Sequence, residues 1–209
     1  MALHDQASLD GALISTIDRG NGQHNLVLLL VDQISAPQPG LEGIWLLISL
    51  PHSSTLTIVP VFPDQDQQVN PLSETFAMTE NNQPGADFLN LLTERILWND
   101  FLVIDRKGIA FVMDAFEAAA QDGQSTFPDI ALAASPQLTL ESQISLWQSM
   151  CDTLSRVDGR DEFENLYSQI SAHFSTNLSW EELPLYRLGT ENSEVKLGCE
   201  FPTLNLISP

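Results

Sequence analysis

Three unbroken apolar stretches dominate the hydropathy pattern, and each is bounded by polar residues or a turn. They read NLVLLLVD (25–32), GIWLLISL (43–50) and DFLVID (100–105). Continuous rather than alternating apolarity indicates strands buried on both faces, as at the centre of a sheet covered by helices. A fourth stretch, STLTIVPVF (54–62), follows the second after a short turn and predicts a hairpin, in which Pro60 indicates an edge position or a bulge.

Four further segments carry apolar residues at helical spacing, so that one face of each is expected to be buried. They span residues 85–97, 106–120, 138–157 and 162–174, and Thr139 is the expected N-cap of the third. A helix, a strand and a helix in close succession are typical of α/β organisation. We therefore predict a single α/β domain with a mixed central β-sheet that includes the hairpin and is covered by helices on both faces.

The remaining segments are predicted to lie outside the main elements. Residues 1–24 form a polar lead-in, so the domain is expected over 25–209. Residues 63–84 and 121–137 are polar or rich in Pro and Gly and are predicted to be loops. The last 15 residues, VKLGCEFPTLNLISP, predict a short strand and a tail.

The composition and net charge of the chain limit the kinds of molecule that it is expected to bind. Its 209 residues are 43% hydrophobic, which is enough for a real core. The formal net charge is −20, with eight basic residues against 28 acidic ones. Phosphate backbones and anionic membranes are bound by clustered Lys and Arg, so this composition argues against nucleic-acid binding.

Cysteines and apolar runs bear on the cellular compartment. Cys151 and Cys199 lack the close spacing of zinc ligands, and both a disulfide and two buried thiols remain open. The start, MALHDQASLDGALIST, has no basic region followed by an apolar stretch, and no apolar run approaches about 18 residues. The sequence thus predicts no signal peptide or membrane span within these residues, and any anchor of a longer protein is expected outside them.

Acidic residues follow the predicted strands. Asp32 and Asp105 end two buried strands, and Asp64 follows the hairpin. Ligands of open α/β sheets gather outside the carboxyl ends of strands, where carboxylates could hold Mg²⁺. The alternative is that these short acids cap loops and the next helix by accepting backbone N–H bonds.

The densest basic pair, Arg106 and Lys107, opens a predicted helix. It could contact a phosphate seated against the helix N–H groups, or it could be a solvated helix start. No nucleophile elbow, catalytic triad or Gly-rich phosphate loop is present, so no catalytic residue is assigned.

Four stretches in order resemble the LytR–CpsA–Psr family of bacterial cell-envelope glycopolymer transferases. They are NLVLLLVD, GIWLLISLPHSSTLTIVPVFPD, LLTERILWNDFLVIDRKGIAFVMDAF and HFSTNLSWEEL, and together they cover most of residues 25–188. The resemblance implies an extracytoplasmic protein, membrane-anchored or secreted in its full-length form, that holds a polyprenyl phosphate or pyrophosphate. In that family the lipid lies in an apolar core pocket, and arginines with Mg²⁺ bind the phosphates.

The chain departs from the family where charge is expected. The family's Arg-x-Asp pattern before the hairpin reads Leu41, Glu42 and Gly43, and its Pro-Arg-Asp at the hairpin's end reads Phe62, Pro63 and Asp64. A later arginine cluster is also missing. The resemblance therefore implies Asp32 and Asp64 as the remaining metal candidates and a degenerate active site.

Three hypotheses follow. The first is a family-like domain that at most binds a polyprenyl lipid, with Trp45, Phe101 and Phe111 as candidates for its pocket. The second is a non-catalytic scaffold or regulatory partner of the envelope machinery, in which the same side chains fill the core. The third is an unrelated acidic hydrolase that uses Asp32 and Asp64 with a divalent metal.

Overall fold

The computed structural model describes six parts of the chain, and everything below concerns them. The lead-in up to residue 21, Asp64, the loop predicted over 121–137 and the first part of the helix predicted over 162–174 lie outside the described residues. The described ranges are 22–50, 53–63, 71–119, 139–154, 170–178 and 198–202.

Within these residues, six strands form one mixed sheet. They are β1 (His24–Val31), β2 (Leu41–Ser49), β3 (Thr55–Phe62), β4 (Asp100–Asp105), β5 (Phe174–Thr176) and β6 (Gly198–Glu200). Their order in the sheet is β5-β4-β1-β2-β3-β6. β1 lies beside β4 in parallel and beside β2 in the antiparallel sense, and β3 and β6 extend the sheet beyond β2.

Helices cover both faces of this sheet, which confirms the predicted α/β architecture. The described helices are α1 (Pro71–Thr75), α2 (Ala86–Thr93), α3 (Arg106–Ala119) and α4 (Leu140–Leu154), with a short 3₁₀ turn at Ser171–His173. α3 and α4 pack on one face and α1 and α2 on the other, each over its own apolar core.

The uninterrupted apolar sequence of β1 is explained by its burial on both faces of the sheet. Leu26, Leu28 and Leu30 face the core beneath α3 and α4. The intervening residues Val27, Leu29 and Val31 face the core beneath α1 and α2 and are fully buried. Because successive side chains of a strand point to opposite faces, burial on both sides requires every residue to be apolar.

The predicted hairpin is β2 and β3, and Pro60 lies at a bulge as expected. Trp45 pairs with Pro60 and Ile44 pairs with Phe62, so Val61 is the extra residue. β6 pairs with β3 only at Thr55–Thr57 within the described residues. Pro60 therefore removes no hydrogen bond from a neighbouring strand on that side.

The helix starting at residue 106 and the N-cap of α4 are confirmed. Thr139 Oγ1 accepts a hydrogen bond from the backbone N–H of Ser142 at 3.2 Å, which satisfies one of the unpaired donors of the first turn. The predicted loop over 63–84 was wrong in part, because α1 lies within it. Its anchor is Leu72, which is 1% exposed, and Pro71 occupies the first helical position, where its missing N–H costs nothing.

The helix predicted up to residue 174 was also wrong at its end. Ser171–His173 form a 3₁₀ turn, and Phe174 begins β5, which pairs antiparallel with β4. Side chains fasten this edge strand: Thr176 Oγ1 donates to the carbonyl of Phe101 at 2.5 Å, and Asn177 Oδ1 accepts from the N–H of Phe101 at 2.8 Å. These long-range bonds to β4 outweigh the local helical pattern.

The two cysteines form a disulfide. It joins Cys151 of α4 to Cys199 of β6, with their Cα atoms 6.0 Å apart. Of the alternatives that the sequence left open, the disulfide is thus the one found.

Burial of β1 on both faces can be tested with one substitution on each side. Leu29→Ala and Leu30→Ala each remove a side chain that is at most 2% exposed, and each should lower the free energy of unfolding by about 3–5 kcal/mol. Leu97→Ala is the matched control, because Leu97 is 68% exposed, and it should change stability by about 0.5 kcal/mol or less. Urea unfolding measures all three, and a small loss at either core position would mean that one face is open.

Candidate functional site

The candidate site lies at the carboxyl ends of the two parallel strands. β1 ends at Val31, directly before Asp32, and β4 ends at Asp105, directly before Arg106. Since the strands are parallel and in register, with Val31 opposite Asp105, these residues meet at one edge of the sheet. Ligands of open α/β sheets bind at such an edge.

A bulge in β2 adds an acid that the sequence analysis did not single out. Leu30 pairs with Gly43 and Val31 pairs with Leu41, so Glu42 is the extra residue between them. A bulge of this kind redirects one side chain out of the regular alternation. Glu42 is consequently buried, at 6% exposure, and its carboxylate faces the start of α3.

Glu42 and Arg106 form a two-point ion pair. Arg106 Nε donates to Glu42 Oε2 at 2.7 Å, and a terminal guanidinium nitrogen donates to Glu42 Oε1. The side chain of Arg106 is 15% exposed and that of Glu42 is 7% exposed, so the pair is largely withdrawn from water. The hydrogen bond that Arg106 donates to Glu42 is the largest influence that raises the pKa of Arg106, and the charges of Glu42 and Asp32 raise it further. The guanidinium therefore stays charged at any pH at which the protein is handled.

Gln143 of α4 holds the bulge in place from the other side. Its Nε2 donates to the backbone carbonyl of Glu42 at 2.9 Å, and its Oε1 accepts from Trp45 Nε1 at 2.7 Å. Gln143 is 1% exposed, so both bonds satisfy polar groups that would otherwise be buried at a cost. A Cβ at Gly43 would lie 2.3 Å from Gln143 Oε1, and only glycine leaves room for this contact.

Asp32 closes the loop after β1. Its Oδ1 accepts hydrogen bonds from the N–H groups of Gln33 at 2.6 Å and Gly40 at 2.8 Å, while its own N–H donates to the carbonyl of Gly40 at 3.0 Å. This is the loop-capping role that the sequence analysis gave as the alternative to metal binding.

Asp105 caps α3 and ties two neighbouring segments to it. Its Oδ1 accepts from the N–H of Gly108, the third residue of the helix, at 2.9 Å. Its Oδ2 accepts from the N–H of Ile34 at 3.2 Å and lies 3.1 Å from His173 Nδ1. These three partners satisfy the carboxylate of a residue that is 1% exposed. Asp105 thus has the capping role that the sequence analysis gave as the alternative to metal binding.

The described carboxylates at this edge have partners within the protein. Asp32 Oδ1 accepts two backbone N–H bonds, and Glu42 binds Arg106. No group of three or more His, Cys, Asp or Glu residues that could hold a metal occurs within the described ranges. Asp64, the second metal candidate, lies outside those ranges.

The remaining sequence candidates are separated by the fold. Of the phosphate candidates, Arg106 is paired with Glu42, and Lys107 is exposed on the first turn of α3. Of the lipid-pocket candidates, Trp45 lies in the core beneath α3 and α4, while Phe101 lies in the core on the opposite face of the sheet. Phe111 is 37% exposed and packs beside His173 with ring centroids 5.5 Å apart. These three residues therefore do not line one pocket.

Two residues of the site carried signals that sequence reasoning missed. Glu42 is a lone acid next to a strand that is otherwise apolar. Gln143 precedes Leu146, Trp147 and Met150 at helical spacing, which puts a polar group on the apolar face of α4. A buried polar side chain needs a specific partner: Glu42 binds Arg106, and Gln143 binds the backbone carbonyl of Glu42 and the indole N–H of Trp45.

Comparisons with known proteins find structures of the same fold but no similar sequence among protein families or curated proteins. No protein-family model and no curated protein matches the sequence. Solved structures do match: B. subtilis TagV is 12% identical with a TM-score of 0.55, over 87% of this chain and 84% of that one. A structure described as "TagT bound to LI-WTA" is 13% identical with a TM-score of 0.53, over 89% and 80% of the two chains.

A third structure names the family itself. The "LytR-Csp2A-Psr enzyme from Actinomyces oris" is 12% identical with a TM-score of 0.50, over 80% of this chain and 76% of that one. The chain therefore has the fold of the LytR–CpsA–Psr proteins, as the four sequence stretches indicated. At this level of identity the likeness concerns the fold, and the chemistry has to be argued from the site.

The Glu42–Arg106 pair can be tested by removing one charge. Glu42→Gln keeps the shape of the side chain but leaves a largely buried guanidinium, 15% exposed, without its counter-charge, and it should lower the free energy of unfolding by about 3 kcal/mol. Urea unfolding at neutral pH measures the loss. Glu80→Gln, at an exposed turn, is the matched control and should change stability by about 0.5 kcal/mol or less. Equal stability of the two variants would show that the pair is not buried in solution.

Proposed function

We propose that this chain is a LytR–CpsA–Psr-fold module of the bacterial cell envelope that does not transfer glycopolymers and acts there as a non-catalytic scaffold or regulatory partner. The observation that carries the proposal is the pairing of Arg106 with Glu42. Arg106 opens a helix at the edge of the sheet where ligands of α/β folds bind, and an internal acid, Glu42, neutralises it.

Electrostatics at this edge oppose the binding of a pyrophosphate. Glu42 and Asp32 both raise the pKa of Arg106, so the negative charge of two carboxylates acts on one guanidinium. A phosphate that displaced Glu42 would leave a buried carboxylate without its cation, which is strongly unfavourable. Loss of a single electrostatic partner of a transition state typically lowers the rate by about 10²–10³, and this chain lacks several of the family's arginines.

The packing under α4 favours the scaffold over a lipid carrier. Trp45 is 1% exposed and packs against Trp147, with ring centroids 5.9 Å apart. Its indole N–H is held by Gln143, so the ring is fixed in the core and cannot swing aside without losing a buried hydrogen bond. Phe101 is likewise packed against Trp98 in the opposite core.

Two observations support an extracytoplasmic location. The protein carries a disulfide, and disulfides persist in oxidising compartments and are rare in the cytoplasm. A similar structure is described as bound to LI-WTA, which suggests an envelope setting for the fold. Among the described helices, none has the length and apolarity needed to cross a bilayer.

A thermal-stability assay with polyprenyl pyrophosphate, with and without Mg²⁺, tests the proposal. We expect no stabilisation of the purified chain, whereas a ligand at 100 times its dissociation constant would add about 2.7 kcal/mol. TagT under the same conditions serves as the positive control. Magnesium-dependent stabilisation that disappears in Asp32→Ala would instead restore the transferase hypothesis, and stabilisation without Mg²⁺ would favour lipid binding alone.

A further inference from the structure

Within the described residues, β6 has a short strand pairing, partial apolar packing and one covalent bond to the rest of the protein. It is a strand of three residues at the edge of the sheet, and it pairs in parallel with Thr55–Thr57 of β3. Parallel pairing is slightly weaker per residue than antiparallel pairing, and a strand this short forms few ladder bonds. None of its three residues is buried. The disulfide between Cys199 and Cys151 thus joins a weakly paired strand to α4.

α4, at the other end of the disulfide, has its own anchors. Leu146, Trp147 and Met150 are buried against the sheet, each less than 8% exposed. Gln143 adds the two buried hydrogen bonds to Glu42 and Trp45. The two ends of the disulfide therefore differ: among the described residues, α4 has buried apolar contacts and two buried hydrogen bonds, whereas β6 has one short strand pairing and partial packing.

We propose that the Cys151–Cys199 disulfide is a redox-sensitive clamp, whose reduction releases β6 and uncovers the edge of β3 at Thr55–Thr57. The proposal stands on the disulfide and the strand pairing and does not depend on the proposed function. Its chemical partner is a dithiol reductant of small-molecule or thioredoxin-like type.

The exchange reaction is balanced by that dithiol. A thiolate of the reductant attacks Cys199 Sγ, the S–S bond breaks, and Cys151 leaves as a thiolate that takes up a proton. The second thiol of the reductant then attacks the mixed disulfide, releases Cys199 as a thiol and leaves the reductant as a disulfide. Cys199 is the accessible end, because it is partly exposed between the exposed residues Gly198 and Glu200, whereas Cys151 is 7% exposed.

The length of chain between the cysteines gives an upper bound for the effect. They are 48 positions apart, and the loop-closure model assigns a link across such a span an effect of about a thousandfold on unfolding of the whole chain, so release of one strand should respond less. With the link broken, the contacts of β6 among the described residues are its pairing with β3, the bond from Gly198 N–H to the carbonyl of Ser54 at 2.8 Å and the partial packing of Phe201.

Release of β6 should leave the remaining sheet intact. β3 stays paired with β2 over Ile44–Ser49, and Leu56 and Ile58 of β3 are fully buried in the core. β1 and β4 lie on the far side of β2 and share no pairing with β6. Reduction therefore acts on one edge of the sheet rather than on the whole domain.

Hydrogen–deuterium exchange on the full chain, oxidised and after reduction with dithiothreitol, tests the clamp. Peptides covering residues 198–202 should exchange at least tenfold faster after reduction, and peptides covering 53–58 should also exchange faster. Peptides covering β1 and β4 should be unchanged. The double variant Cys151→Ser, Cys199→Ser should show the fast exchange at both segments with and without reductant.

Two results would overturn the proposal. Unchanged exchange over 198–202 after confirmed reduction would show that β6 is held without the disulfide. Faster exchange to the same degree in β1 and β4 would show that the disulfide supports the whole fold and is no local clamp.

Discussion

Burial of β1 on both of its faces is the constraint from which the rest of the structure follows. A strand with a separate apolar core on each side can carry polar groups only at its ends, because any charge along its length would be withdrawn from water without a partner. The neighbouring strands β2 and β4 share this restriction. Polar side chains are thereby confined to the strand ends, one of which is the edge where β1 and β4 end and α3 begins.

At that edge Glu42 is paired with the partly buried Arg106, and Asp32 and Asp105 have partners of their own. The bulge at Glu42 directs a carboxylate toward Arg106, and Gln143 donates a hydrogen bond to the backbone carbonyl of Glu42. Asp32 and Asp105 are engaged in capping a loop and a helix. This is the location of a ligand site in an α/β fold. Its described charged groups, however, bind each other or backbone N–H groups. A fold can be retained while the chemistry of its site changes.

The edges of the sheet show a second way in which the protein manages unpaired backbone. Among the described residues, β5 and β6 form the two borders, and each is three residues long. Short edge strands limit the backbone available for pairing with other chains. β5 is fastened by side chains of Thr176 and Asn177 to Phe101, whereas β6 is fastened by a disulfide. Only the second kind of fastening responds to the redox environment.

The sequence by itself determined the architecture, because two-sided burial leaves an unmistakable apolar run and a helix leaves its periodicity. It also placed Asp32, Asp105 and Arg106 at strand ends, and it indicated a bulge or edge at Pro60. The tertiary structure decided what those residues do. Glu42 lies 64 positions from Arg106, Gln143 lies 98 positions from Trp45, and Phe174 leaves the helical pattern to pair with β4. The packing of distant segments determines such partners. A local sequence pattern therefore cannot predict whether an acid caps a loop, binds a metal or neutralises an arginine.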